Sequence, residues 1–115
     1  MQEQHRILRL NALLQKELGK ILLEEVEFPE ATVVTITNVN AFSDLQRAKV
    51  YISIIPDKKS KEVLGILNRN IFSIQQQLNK ELRMRPIPKI EWLLDEHLAE
   101  VQHVEELLEE IKKRK

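Results

Sequence analysis

Thr32-Val33-Val34-Thr35-Ile36-Thr37-Asn38-Val39 and, nine residues further on, Ala48-Lys49-Val50-Tyr51-Ile52-Ser53-Ile54 are the two stretches on which the fold turns. Both are rich in β-branched residues, whose stiff side chains suit a pleated surface better than a helix interior. In the second stretch a period of two puts Ala48, Val50, Ile52 and Ile54 on one face and Lys49, Tyr51 and Ser53 on the other. The apolar set predicts the face that meets the helices. Only the short connection around Phe42-Ser43-Asp44-Leu45 separates the two stretches, which suits antiparallel pairing.

Outward from this pair the period changes. Upstream, Ile7, Leu10, Leu14, Leu18 and Ile21 recur every three or four residues and predict a helix over 6–25, with Arg6, Arg9, Lys16 and Lys20 off the apolar stripe. Gly19 weakens that helix by about 1 kcal/mol relative to alanine without ending it, and Phe28-Pro29 marks its limit. Downstream, Pro56-Asp57-Lys58-Lys59 closes the second strand, and Ser60 is placed to cap a further helix. Val63, Leu64, Leu67, Ile71, Ile74, Leu78 and Leu82 then draw an apolar path as far as Arg85. Asn68, Asn70 and Ser73 lie inside that path and can divert hydrogen bonds to nearby backbone, so the pattern admits a break between Asn70 and Ser73 as well as one continuous helix.

Pro86 and Pro88 stop the helical run. Lys89-Ile90-Glu91-Trp92-Leu93 follows as a third strand, ending at Leu94-Asp95. A last amphipathic helix is expected from Leu98 to Lys112 on Val101, Val104, Leu107, Leu108 and Ile111. The fold class is therefore α+β, a small three-stranded sheet covered on one face by helices. One domain over 1–111 and a short basic tail over 112–115 account for the 115 residues.

Composition narrows the function. The polar start Met1-Gln2-Glu3-Gln4-His5 and the lack of any apolar run near the roughly 18 residues that span a bilayer lead us to expect a cytoplasmic protein away from membranes. There is no cysteine, and His5, His97 and His103 are not grouped with carboxylates at a metal-binding spacing. Gly19 and Gly65 are the only glycines, so a phosphate-cradling loop is hard to build, and no HExxH or GxSxG word occurs. Glu105-Glu106 and Glu109-Glu110 read as the solvated face of the last helix. We expect no enzyme, no cofactor and no metal.

The net charge of zero conceals a strong polarity. Residues 1–46 carry four Lys/Arg against seven Asp/Glu; residues 47–89 carry ten against three; residues 90–111 carry eight acids and no Lys/Arg; and Lys112-Lys113-Arg114-Lys115 restores the balance. A molecule divided this way can offer a basic face to a polyanion despite its neutral total. Lys80, Arg83 and Arg85, with Arg69 upstream in the same helical region, could grip a sugar-phosphate backbone, or could be a charged surface that serves solubility. Tyr51 and Phe72 could stack on bases, with packing the favoured reading for each. The competing non-catalytic role is a protein-interaction adaptor whose acidic last helix, through Glu105 and Glu109, faces the partner.

Val34-Thr35-Ile36-Thr37-Asn38-Val39 followed by Phe42-Ser43-Asp44-Leu45-Gln46-Arg47-Ala48-Lys49-Val50-Tyr51 closely resembles the signature of the ribosome-binding factor A family. The resemblance continues through the first helix, Leu82-Arg83-Met84-Arg85-Pro86-Ile87-Pro88, Ile90-Glu91-Trp92 and Asp95, and so covers nearly the whole chain. It implies a type II KH-like domain and a ribosome biogenesis role: a monomer that binds 16S rRNA in the immature small ribosomal subunit late in maturation, notably in cold-sensitive assembly and alongside other assembly factors. In place of the standard GxxG clamp of KH domains, the family carries a helix kink with an Ala-x-Gly pattern. Here Asn70-Ile71-Phe72 stands at that place, with no glycine, which predicts a kink that is shallower or shifted toward Ser73. The mechanism implied is stoichiometric recognition. Arg69, Lys80, Arg83, Arg85 and Lys89 would form the electrostatic surface, Asn70, Ser73 and Gln75 would add backbone or base contacts, and Arg6 and Arg9 would extend the footprint from the first helix.

Overall fold

The computed structural model describes residues 2–83 and 87–95. The expected helix over 98–112 and the basic tail over 112–115 lie outside these residues, as do Arg85, His97, His103, Glu105 and Glu109.

The amphipathic stripe of the N-terminal region forms α1 (Gln2–Glu25). It buries Leu10, Leu14, Leu18, Ile21 and Leu22, with Val26 just beyond its end, and it passes Gly19 without interruption. Ala31, at φ 57, turns the chain into β1 (Val33–Ala41), which pairs antiparallel with β2 (Arg47–Ile55). The connecting turn is closed by Phe42 N–H donating to Arg47 O at 2.8 Å, Leu45 N–H to Phe42 O at 2.9 Å, and Gln46 N–H to the Asp44 carboxylate at 3.0 Å.

β1 does not keep a strict period of two. Its register slips between Ile36 and Asn38, so Thr37 is the extra residue of a bulge. The slip lets Val34 and Ile36 before it, and Val39 and Ala41 after it, all pack toward the core. Thr37 Oγ1 is held by Asp95 Oδ2 at 2.7 Å, the nearer of two acceptors within its reach, which ties the bulge to the residue that follows the last strand.

A single 3-10 turn (Asp57–Lys59) leads into α2 (Ser60–Arg69). Ser60 is the first residue of that helix rather than its cap, and its hydroxyl donates to Asp57 Oδ1 at 3.3 Å. The helical run then breaks at Asn70, and α3 (Ile71–Glu81) follows. β3 (Lys89–Leu94) lies parallel to β2, with the order β1-β2-β3, so β2 is central. A parallel pair needs a crossover, and α2 with α3 provides it. Lys89 N–H to Gln46 O at 3.0 Å and Asp95 N–H to Ile52 O at 2.9 Å bracket β3 at its two ends.

The core lies between one sheet face and the helices. Ala48, Val50, Ile52 and Ile54 from β2, with Ile90 and Trp92 from β3, meet Val63 and Leu67 from α2, Ile74 and Leu78 from α3, and Leu82. The sequence of elements, α1-β1-β2-α2-α3-β3, is the α+β arrangement expected, and it agrees with a type II KH-like order.

Candidate nucleic-acid interface

α3 has two unlike sides because its apolar residues recur at helical spacing. Ile74 and Leu78 are buried and Ile71 packs against the core, while Phe72, Ser73, Gln76 and Lys80 are exposed. Ser73, Gln76 and Lys80 fall at intervals of three and four, which stacks them along one outward strip. Arg69 ends α2 immediately before the break and is exposed, its Nε donating to Gly65 O at 3.3 Å. Arg83, also exposed, lies two residues past the end of α3. Ser73 and Lys80 thus share one strip of α3, while Arg69 precedes the break and Arg83 follows the extended residue Leu82, so neither is held to that strip by helical spacing.

The remaining expected contacts are placed differently. Lys89 is exposed at the start of β3, on the outward side of the sheet, and pairs in register with Arg47, which is also exposed. Sequence reasoning counted Arg47 in the basic block but gave it no role, because only the strand register brings it beside Lys89. Arg6 and Arg9 are exposed on α1, a separate element. Among the described residues, ion pairs join only Lys20 to Glu17 and Lys59 to Glu62, so none of Arg6, Arg9, Arg69, Lys80, Arg83 and Lys89 is neutralised by a carboxylate there.

Two of the expected polar contacts have work inside the fold. Gln75 is half-buried, and its Nε2 donates to Pro88 O at 3.1 Å and to Asn79 Oδ1 at 3.3 Å, while its Oε1 accepts from Ile90 N–H at 3.1 Å. It clamps α3 to the start of β3. Asn70 has both its backbone N–H and its side-chain Nδ2 on Ile66 O, at 3.1 and 2.8 Å, and its own carbonyl accepts from Ile74 N–H at 2.9 Å. Asn70 is the joint itself, so the break falls at the first residue of Asn70-Ile71-Phe72 and is not displaced to Ser73. The physical reason is that an asparagine amide can satisfy the last carbonyls of α2 from within the turn, and Ser73 is then free to be helical.

Phe72 is 72% exposed. Core or edge packing was the favoured expectation for it, and the structure corrects this. Residues 71, 74 and 78 claim the inward side of α3, which leaves position 72 on the outward side. The spacing of Leu67, Ile71, Ile74 and Leu78 already puts position 72 off the apolar stripe, whether or not the helix breaks at Asn70.

The family model for ribosome-binding factor A matches residues 6–108. The chain belongs to the ribosome-binding factor A family. It is 35% identical over 113 residues to the ribosome-binding factor A of Thermodesulfovibrio yellowstonii, with 98% of this chain and 96% of that protein covered. It is 36% identical over 112 residues to that of Bdellovibrio bacteriovorus, covering 96% and 84%. Among solved structures, the NMR structure of a candidate ribosome binding factor A from Thermotoga maritima superposes with a TM-score of 0.65 at 28% identity, covering 76% of this chain and 85% of that one. The crystal structure of ribosome-binding factor A from Thermus thermophilus gives a TM-score of 0.62 at 23% identity, covering 76% and 94%, and shares the fold.

The words that carry the ribosome-binding factor A resemblance are largely architectural in this member. Asp44 closes the β1–β2 turn, Thr37 and Asp95 fasten the bulge, and Ile90 and Trp92 fill the core.

Proposed function

We propose that this chain is a non-catalytic ribosome biogenesis factor that binds the small ribosomal subunit through 16S rRNA during late maturation, in the cytoplasm and as a monomer. The observation that carries the reading is that Arg69, Lys80 and Arg83, before, within and after α3, are all exposed and without carboxylate partners among the described residues. Arg85, outside the described residues, is proposed as a further RNA contact from the sequence alone. Membership of a family named for binding ribosomes supports the class of partner.

The mechanism is selective binding. Arginine offers a planar fork that matches two phosphate oxygens, and lysine offers a mobile point charge. Ser73, on the same strip as Lys80, adds a hydroxyl that can donate to the backbone. Arg6 with Arg9 forms a secondary patch on α1, within the helix layer, whereas Lys89 with Arg47 lies on the sheet face turned away from the helices and would meet a separate stretch of backbone. The protein holds one immature RNA arrangement by binding it more tightly than the alternatives, and it departs when maturation removes that preference. Other assembly factors can share the site's surroundings without taking part in the contact.

Sedimentation of the full chain with separated particles tests this reading. The protein should pellet with immature small subunits and stay in the supernatant with large subunits. Equal capture by both, or by neither, would overturn it.

A further inference from the structure

The structure exposes several large apolar side chains, and all but one of them are aliphatic. Among the described residues Leu8, Leu13, Leu23, Val33, Ile55, Leu94 and Phe72 are exposed, and Phe72 alone carries an aromatic ring. Its position sets it apart further. It lies in the first turn of α3, one residue after the break partners Asn70 and Ile71, and between Arg69 and the strip of Ser73, Gln76 and Lys80. In a helix the Cα–Cβ bond tilts toward the N-terminus, so the ring starts out toward the break. A flat apolar face on the outward side of a helix that also exposes Ser73, Gln76 and Lys80 has the composition of a surface that takes an unpaired nucleotide, with the ring stacking on the base and the cation further along holding a flanking phosphate. A duplex offers its backbone but no free base face, so the ring would gain nothing from it.

We propose that Phe72 is a base-stacking residue, the side chain by which this chain reads an unstacked base beside the break. This inference rests on the RNA-binding reading above and deepens it by naming a residue that contacts a base. Arg69 and Lys80 supply the charge that any RNA would satisfy, and Phe72 supplies the preference for an unpaired base. Gln76, exposed one turn along on the same side as Phe72, is in position to reach the edge of a stacked base.

The test compares full-length wild type with Phe72→Ala, Phe72→Leu, Phe72→Trp and Lys80→Gln for binding to purified immature small subunits across a salt titration. Far-ultraviolet circular dichroism and thermal melting confirm that each variant is folded, which the exposure of both residues favours. Phe72→Ala and Phe72→Leu should each weaken binding about ten-fold or more with an unchanged salt slope, because stacking is worth that much per base and involves no counterion. Phe72→Trp should stay within about three-fold of wild type, and Lys80→Gln should make the salt slope shallower. If Lys80→Gln weakens binding but Phe72→Ala does not, the stacking role is overturned and the RNA surface stands. If Phe72→Leu binds as wild type while Phe72→Ala fails, the ring is an apolar protein contact and the proposal is again overturned. If neither position matters, the RNA surface itself falls.

Discussion

Gln75 and Lys80 are five residues apart on α3, and the fold uses them in different ways. Gln75 bridges Pro88 O and Ile90 N–H, whereas Lys80 is exposed and has no ion-pair partner among the described residues. Gln75→Ala takes the acceptor from Ile90 N–H in a part-buried setting, so it should cost about 1–3 kcal/mol of unfolding free energy, measured by urea denaturation. Lys80→Gln should change that free energy by no more than about 0.5 kcal/mol. Binding should respond in the opposite sense: the Gln75 variant, where folded, should retain the wild-type salt slope, and the Lys80 variant should lose part of it. A residue list drawn from sequence could not separate the two, since glutamine and lysine are equally polar on paper. Only the half-buried phase of position 75 and the arrival of β3 beside it assign the amide to the fold.

Periodicity fixed the existence and order of the elements, and the irregularities within them were harder to read. In β1, Ile36 and Val39 are both apolar but three apart, a spacing that strict alternation forbids; the bulge at Thr37 resolves it by letting both face the core. The sequence carried that signal. The break at Asn70 carried a weaker one, because the apolar path of Leu67, Ile71, Ile74 and Leu78 runs through it with unbroken helical spacing, and what decides it is the closure of the asparagine amide onto Ile66 O. Elsewhere the helices contain residues that suit them poorly. Gly19 in α1 and Gly65 in α2 have ordinary helical surroundings, and an added Cβ at either meets no atom within 4 Å. Gly19→Ala and Gly65→Ala should therefore each stabilise the protein by about 0.5–1 kcal/mol, seen as a rise of a few degrees in melting temperature. Neither should alter binding to the small subunit.

At the scale of the molecule, the basic block of the chain is divided between the surroundings of α3 and the outward face of the sheet. The ten cations and three acids of residues 47–89 include the exposed Arg69, Lys80 and Arg83 around α3 and the Arg47 and Lys89 pair on the sheet. The unequal blocks were visible in the sequence. The placing of Lys80 on the outward side of α3 and of Arg47 beside Lys89 was not, because it depends on which side of α3 faces the core and on the parallel register of β2 with β3. If about four cations each neutralise one phosphate, affinity should fall roughly hundred-fold between 50 and 200 mM salt. The decisive measurement is the affinity of full-length protein for immature small subunits across that salt range, wild type against the double variant Lys80→Glu with Arg83→Glu. The account predicts a loss of at least about ten-fold at low salt, a shallower salt slope and an unchanged circular dichroism spectrum. A folded double variant that binds with the wild-type affinity and the wild-type slope would contradict it.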